Sequence, residues 1–313
     1  MYGEFSVAQM QSETPLQQHS GAQQGGSGAL SASVQIRRLT GALGAEVDGV
    51  DLGRPLPPDT KATLDQLILD HSVLVFRNQT LSPLQLAALG RQFGELEEEP
   101  FIPKLEGHEG VYLLSGAGGS RLSTQNLHWH VDHSYREVPS YGTFLYAIDV
   151  PAAGGDTLFA SMYHAYDALS AEMKRIVDGL VVIHDVLQYG LNAGHMSLGR
   201  PEVIGRFAAM RQRFPQIEHP LVCTHPETGR KFLYINPAWA SGIKGMTPAE
   251  SGALLAFLNA HATQQAKFQC RVHWTNGTVV FWDNRCVQHS PTADYTDPRI
   301  MHRVAIAGRW RPH

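Results

Sequence analysis

Cysteine is scarce in this chain of 313 residues. The three present, Cys223, Cys270 and Cys286, are odd in number and far apart, with no CxxC pair. That excludes a disulfide framework and a thiolate metal knot, and reads as buried or free thiols in a reducing compartment. Long apolar runs are missing too: none approaches the roughly 20 residues of a membrane span. The N-terminus has no basic region leading into an apolar one, so no secretory signal is legible. Positive charge is not in excess: 25 Lys+Arg stand against 29 Asp+Glu, a formal charge of −4. With no basic block, nucleic acid is not the expected partner. What remains is a globular composition, 43% hydrophobic and 17% charged, in a chain long enough for one large domain or two small ones. The expectation is a soluble cytoplasmic protein with no membrane partner.

Gln, Ser and Gly dominate residues 1–33, where only Glu4 and Glu13 carry charge, so this stretch reads as a disordered tail. Short strands are expected at 34–36, 44–52, 72–76, 141–150, 157–159 and 180–184 from their apolar alternation or apolar runs. More follow at 221–224, 231–235, 271–274, 278–282 and 301–307. Pro57-Pro58 opens a helix through Leu64, Leu67 and Ile68. Ser82-Pro83-Leu84-Gln85 starts another that runs to about Phe93, and Thr247-Pro248-Ala249-Glu250 a third; both carry capping boxes. Residues 163–169 and 171–177 also read as helical. The Gly/Ser-rich 115–123 suits a mobile flap. The acidic run 95–99 reads as a solvated loop. Residues 187–219 show no clear period and read as a lid-like insertion, with Arg200, Arg206, Arg211 and Arg213 on a solvated face. Many short strands with helices gathered at the start and in insertions predict an α+β fold. Its expected core is a double-stranded β-helix (jelly roll) flanked by helices, in one domain over 34–313.

The sequence turns on Asn126-Leu127-His128-Trp129-His130-Val131-Asp132-His133-Ser134-Tyr135. In an extended strand His130 and Asp132 would point the same way and could both reach one metal ion. A distant third His would complete a 2-His-1-carboxylate facial triad. Alone the motif is weak, since 16 His and 29 Asp+Glu make chance matches common.

Further on stand Trp282-Asp283-Asn284-Arg285-Cys286-Val287-Gln288-His289 and Arg299-Ile300-Met301-His302-Arg303. With His130-x-Asp132 and Gly154-Gly155-Asp156-Thr157 they make four motifs in order. The set resembles the taurine dioxygenase / 2,4-dichlorophenoxyacetate dioxygenase family over about residues 39–309. The resemblance implies an Fe(II)- and 2-oxoglutarate-dependent dioxygenase using O2, with ascorbate as a supporting reductant. Such an enzyme would hydroxylate a small organic acid, or cleave it by hydroxylation, releasing succinate and CO2. It implies His130, Asp132 and His289 as iron ligands, and Thr157 and Arg299 as partners of the distal carboxylate of 2-oxoglutarate. Arg303 matches a substrate-anion clamp, and Asn126 and Tyr135 fall in the substrate pocket. Phe159 and Trp239 join Tyr135 as its apolar walls. The implied substrate is anionic or zwitterionic, and the implied assembly a homo-oligomer.

One position departs from the family. Aligned from Gly94 to Pro100, Glu99 falls where the taurine enzyme has a His that helps hold the sulfonate. Glu99 either turns outward with the acidic run or faces inward against a cation, and both make taurine a poor substrate. Duller readings hold for the neighbours: packing or support for His128 and His133, core for Trp129 and Trp282, structure for His302, and no catalytic role for Arg285. A catalytically silent relative that senses a carboxylate or a metal is the alternative, and would be expected to lose a ligand or Arg299. A zinc hydrolase is more distant, for want of a dedicated general base.

Overall fold

A strand that is buried at every position must be covered on both faces. β13 (Val279–Asp283) is such a strand, and it lies in the middle of a seven-stranded sheet. The computed structural model describes residues 34–116, 128–188 and 201–313. The sheet runs, in spatial order, β1 (Gln35–Arg38), β2 (Ala45–Asp48), β3 (Val73–Phe76), β13, β5 (Gly142–Asp149), β15 (Arg299–Ile306) and β4 (Tyr112–Gly116). All its pairings are antiparallel except that of β2 with β3.

Period-two alternation sorts the side chains of this sheet into two cores. Val279, Phe281, Phe144, Tyr146, Leu74 and Phe76 point to one face, where α1 (Pro58–His71) and α2 (Pro83–Arg91) cover them with Leu64, Leu67, Ile68, Leu86 and Leu89. Val280, Trp282, Leu145, Ala147, Val73 and Val75 point to the other. That second core is shared with a three-stranded sheet, β12 (Gln269–Val272), β6 (Thr157–Ser161) and β14 (Val287–Pro291), through Val272, Phe159 and Val287. It also takes in Phe232 and Leu233 from the pair β10 (Lys231–Leu233) and β9 (Val222–Thr224), with α3 (Met162–Asp167) and α6 (Pro248–Thr263) alongside. The result is an α+β fold with two sheets sharing one apolar layer.

Both expected capping boxes form. Ser82 Oγ accepts from Gln85 N at 3.3 Å while Gln85 Oε1 accepts from Ser82 N at 2.7 Å, and Thr247 with Glu250 repeats the arrangement. α2 stops at Arg91, two residues short of the expected end. α4 (Ala171–Val177) falls where the sequence placed it. Residues 187–219 differ from expectation: they contain α5 (Pro201–Arg213), and β8 (Ile217–Pro220) pairs with one edge of β7 (Val181–His184), whose other edge carries β11 (Ala240–Ile243), in a further small sheet. A proline at the first helical position and Phe207, Met210 and Phe214 at turn-like spacing were the missed signals. The tail 1–33, most of the 115–123 flap and Asn126 lie outside the described residues.

Candidate metal centre

His289 sits at the middle of β14, paired on one side with Phe159 of β6. On its other side it meets His130 in an isolated bridge: His130 N donates to His289 O at 3.0 Å, and His289 N to His130 O at 2.9 Å. This single bridge brings together two imidazoles 159 positions apart in sequence, with ring centroids 4.1 Å apart. Residues 130–132 do not form the extended strand that would align the two side chains. After one extended residue the chain turns, with His133 in the left-handed region at φ 55°, and the turn swings Asp132 back toward the histidines. Two asparagines hold it there. Asn284 Oδ1 accepts from Asp132 N (2.8 Å), and Asn284 Nδ2 donates to the carbonyls of Asp132 (2.9 Å) and Ser140 (3.0 Å). Asn236 Nδ2 donates to Val131 O and Ser134 Oγ, both at 2.7 Å.

Asp132 Oδ1 lies 3.8 Å from His130 Nε2 and 3.9 Å from His289 Nε2, and the three donor groups fall within 4.8 Å of one another. Each of the other polar atoms is spoken for or walled in. His130 Nδ1 donates to the His128 carbonyl at 2.8 Å, which leaves Nε2 its lone pair. Asp132 Oδ2 takes the Thr143 hydroxyl at 3.0 Å and faces Arg303 Nη2 at 2.8 Å, so Oδ1 alone points at the histidines. The His289 ring is set by packing against Trp282 and Phe159, at 4.7 and 6.0 Å between centroids.

Protonation states match ligand duty. Burial lowers the pKa of both imidazoles, His289 to about 3. Burial works against charge on Asp132 too, but the surrounding groups, the Arg303 guanidinium first among them and then the neighbouring histidines, together outweigh it and hold the carboxyl well below its usual range. Neutral imidazoles and an ionised carboxylate are the forms that bind metal. Two nitrogens and one oxygen, each with one free atom on the same side, fit a 2-His-1-carboxylate ferrous site. His225, Asp283 and Cys286 also cluster, but Arg285 binds both oxygens of Asp283 at 2.8 Å and His225 takes a third contact at 3.1 Å. That group is already satisfied.

The triad opens into a cavity that Thr157 and Arg299 also line. Arg299 is buried, donates through Nε to the Gly155 carbonyl at 3.0 Å, and lies over the Trp274 ring at 5.8 Å. Among the described residues no carboxylate stands within ion-pair range of it. Trp274 Nε1 donates to Thr157 Oγ1 at 3.0 Å, so the Thr157 hydroxyl proton can be given to something else. The Gly154-Gly155 turn is what allows this end to close. Both glycines have positive φ (78° and 67°), and a Cβ on Gly154 would lie 2.4 Å from the Asp294 carbonyl oxygen.

Trp239 and Arg303 line the same cavity. Tyr135 and Phe159 do not: both are fully buried, Tyr135 behind Trp239 at 4.6 Å between rings, Phe159 behind His289. They back the walls instead of forming them. Nor is the acidic run a solvated loop throughout. Glu98 is exposed and pairs with Arg213, but Glu97 turns in toward Arg136. Glu99 faces the cavity, where its Oε2 meets His133 Nε2 (2.8 Å) and Arg303 Nη1. The cation that Glu99 meets is therefore the protein's own Arg303. Thr143, Asn236, Asn284 and Trp274 escaped sequence reasoning because each acts through a partner at least 11 positions away.

Comparison with known proteins agrees with this geometry. Residues 35–305 match the model of the "Taurine catabolism dioxygenase TauD, TfdA family". A 2,4-dichlorophenoxyacetate dioxygenase, alpha-ketoglutarate-dependent, from Cupriavidus pinatubonensis is 36% identical over 272 residues, covering 82% of this chain and 91% of its own. An alkylsulfatase of Acinetobacter baylyi is 30% identical over 282 residues, covering 88% and 85%. The crystal structure of a taurine dioxygenase from Burkholderia xenovorans superposes with a TM-score of 0.74 at 34% identity, over 90% of this chain and 91% of that one.

Proposed function

Because the chain belongs to the TauD/TfdA dioxygenase family, we propose that it hydroxylates a small organic molecule at the His130–Asp132–His289 centre. It is a 2-oxoglutarate-dependent dioxygenase that uses Fe(II), 2-oxoglutarate and O2. In this reading the two Nε2 atoms and Asp132 Oδ1 hold the iron on one face. Bound there with its co-substrates, iron supplies the oxidising power for attack on a C–H bond, with succinate and CO2 as coproducts. Arg299 and Thr157 receive the distal carboxylate of 2-oxoglutarate, the guanidinium clamping both oxygens and the hydroxyl adding a donor. Thr143 and Arg303 fix the rotation of the Asp132 carboxylate, so its second oxygen does not compete for the open side.

The observation that carries the reading is the pairing of an oriented triad with a buried guanidinium that lacks a carboxylate partner among the described residues, both on one cavity. The retained ligands and Arg299 speak against a silent relative. We read the two facing sheets as a double-stranded β-helix within one domain over 34–313, and 187–219 as its lid. Met210 and Phe214 support the lid by packing on the Tyr135–Trp239 wall. Among the described residues no helix is long and apolar enough to cross a membrane. The reading extends to a cytoplasmic homo-oligomer, with its three cysteines buried and unpaired.

The names of the relatives span sulfonates, sulfate esters and phenoxyacetates. Those acids, amino acids and the uncharged analogues of each make the test panel, supplied with Fe(II), 2-oxoglutarate and ascorbate in air. A member that stimulates succinate formation in step with its own hydroxylation is the expected result. Failure to bind 2-oxoglutarate in the presence of Fe(II) would overturn the reading.

A further inference from the structure

Among the described residues two buried guanidiniums line the cavity, and their surroundings are opposite. Arg299 has no carboxylate within ion-pair range among the described residues. Arg303, 3% exposed, has two: Glu99 Oε2 at Nη1 and Asp132 Oδ2 at Nη2, 2.8 Å away. Glu99 is itself fixed. His133 Nε2 donates to its Oε2 at 2.8 Å, Phe101 N approaches its Oε1 at 3.4 Å, and its own backbone N donates to Tyr112 Oη at 2.9 Å. Its carboxyl is held down at about 2 against burial by His133 and Arg303, so it is ionised throughout the neutral range.

Resting on the dioxygenase reading, we propose that the primary substrate is a neutral molecule, because Glu99 already occupies the guanidinium edge that an acidic substrate would need. An incoming carboxylate or sulfonate would have to displace Glu99 into an apolar wall or sit beside a fixed negative charge. Both cost more than the approach of an uncharged group. The formal charges agree. Among the described residues four ionised side chains face the cavity, Glu99, Asp132, Arg299 and Arg303, and they balance. A divalent ion and a dianionic co-substrate then balance each other, so these described side chains hold no spare positive charge for a substrate anion. The rest of the wall nearby is Phe101, Leu114, Leu145 and Trp239, surfaces for an apolar body. Specificity here is built by repulsion, through a carboxylate placed against the wrong partner.

The test compares an acid with its isosteric amide, phenoxyacetate and phenoxyacetamide, by anaerobic calorimetry on the Fe(II)·2-oxoglutarate protein. The unmodified chain should bind the amide at least about tenfold more tightly than the acid. Glu99→Gln keeps the shape and removes the charge. It should raise the affinity for the acid by at least about tenfold while moving that for the amide less than about threefold. Glu99→His is the second variant should Gln disturb folding, with the same direction expected. The proposal is overturned if the unmodified chain binds the acid as tightly as the amide, or if neither variant gains affinity for the acid. Absence of Fe(II)-dependent 2-oxoglutarate binding in the first titration, before acid or amide is added, would instead defeat the dioxygenase reading and the proposal with it, an outcome distinct from loss of the acid–amide difference.

Discussion

At the scale of the residue, Asp132 divides its work between two oxygens. Oδ1 faces the histidines, while Oδ2 is held by Thr143 and Arg303. Removing an outer partner of a ligand typically costs metal affinity by about 10–100-fold. Thr143→Val should therefore weaken Fe(II) binding by at least about tenfold with the fold intact, as an anaerobic metal titration would show. Unchanged affinity would mean that Arg303 orients the carboxylate alone. Arg299 has a different duty and should fail differently. On the proposed reading Arg299→Ala removes the charge partner of the distal carboxylate, a loss of about 2–5 kcal/mol by analogy with truncated buried charge pairs. KM for 2-oxoglutarate should rise steeply while iron content stays at the level of the unmodified protein. A flat KM would take Arg299 out of the site.

At the scale of the element, the turn at Gly154-Gly155 governs where Arg299 can lie. A Cβ on Gly155 would stand 3.2 Å from Arg299 Cδ, and the residue's φ of 67° costs a side-chain-bearing residue about 1–2 kcal/mol. Gly155→Ala is expected to raise KM for 2-oxoglutarate several-fold and to leave Fe(II) affinity near its original value. Equal losses in both would show that the turn supports the whole centre. Much at this scale was legible in the sequence. The two capping boxes are local patterns and formed as read, and the apolar runs of β3, β5 and β13 announced strands buried on both faces. α5 was missed because its arginines and Gly205 masked a spacing that only packing on Tyr135 and Trp239 makes decisive. The HxD motif was found for partly the wrong reason. Strand geometry does not align its side chains, since a single bridge and a left-handed His133 bring His130, Asp132 and His289 together.

At the scale of the whole molecule, buried neutral histidines tie stability to pH. His184 and His219 lie under the ligand turn, with His184 Nδ1 2.9 Å from Ser134 Oγ and His219 Nε2 3.0 Å from the Ser134 carbonyl. Burial drives the pKa of His184 well below its ordinary value, and that of His219 to about 4. Between the unfolded value near 6.5 and about 4, the unfolded chain takes up protons that the folded one refuses, so stability falls as pH drops through that window. The urea midpoint should be lower at pH 5 than at pH 7.5, and a level midpoint would contradict this account. The contacts that decide the site at this scale were beyond sequence reasoning. Glu99 and Arg303 are 204 positions apart, and nothing local to either predicts that one neutralises the other.

The central claim is that side chains from two distant segments hold one ferrous ion able to take up 2-oxoglutarate. Anaerobic addition of Fe(II) and then 2-oxoglutarate, followed by visible absorption, tests it most directly. A weak charge-transfer band should appear, saturate at one metal per chain, and be lost in Asp132→Ala and His289→Ala. A band of undiminished strength in either variant, or none in the unmodified chain, would contradict it.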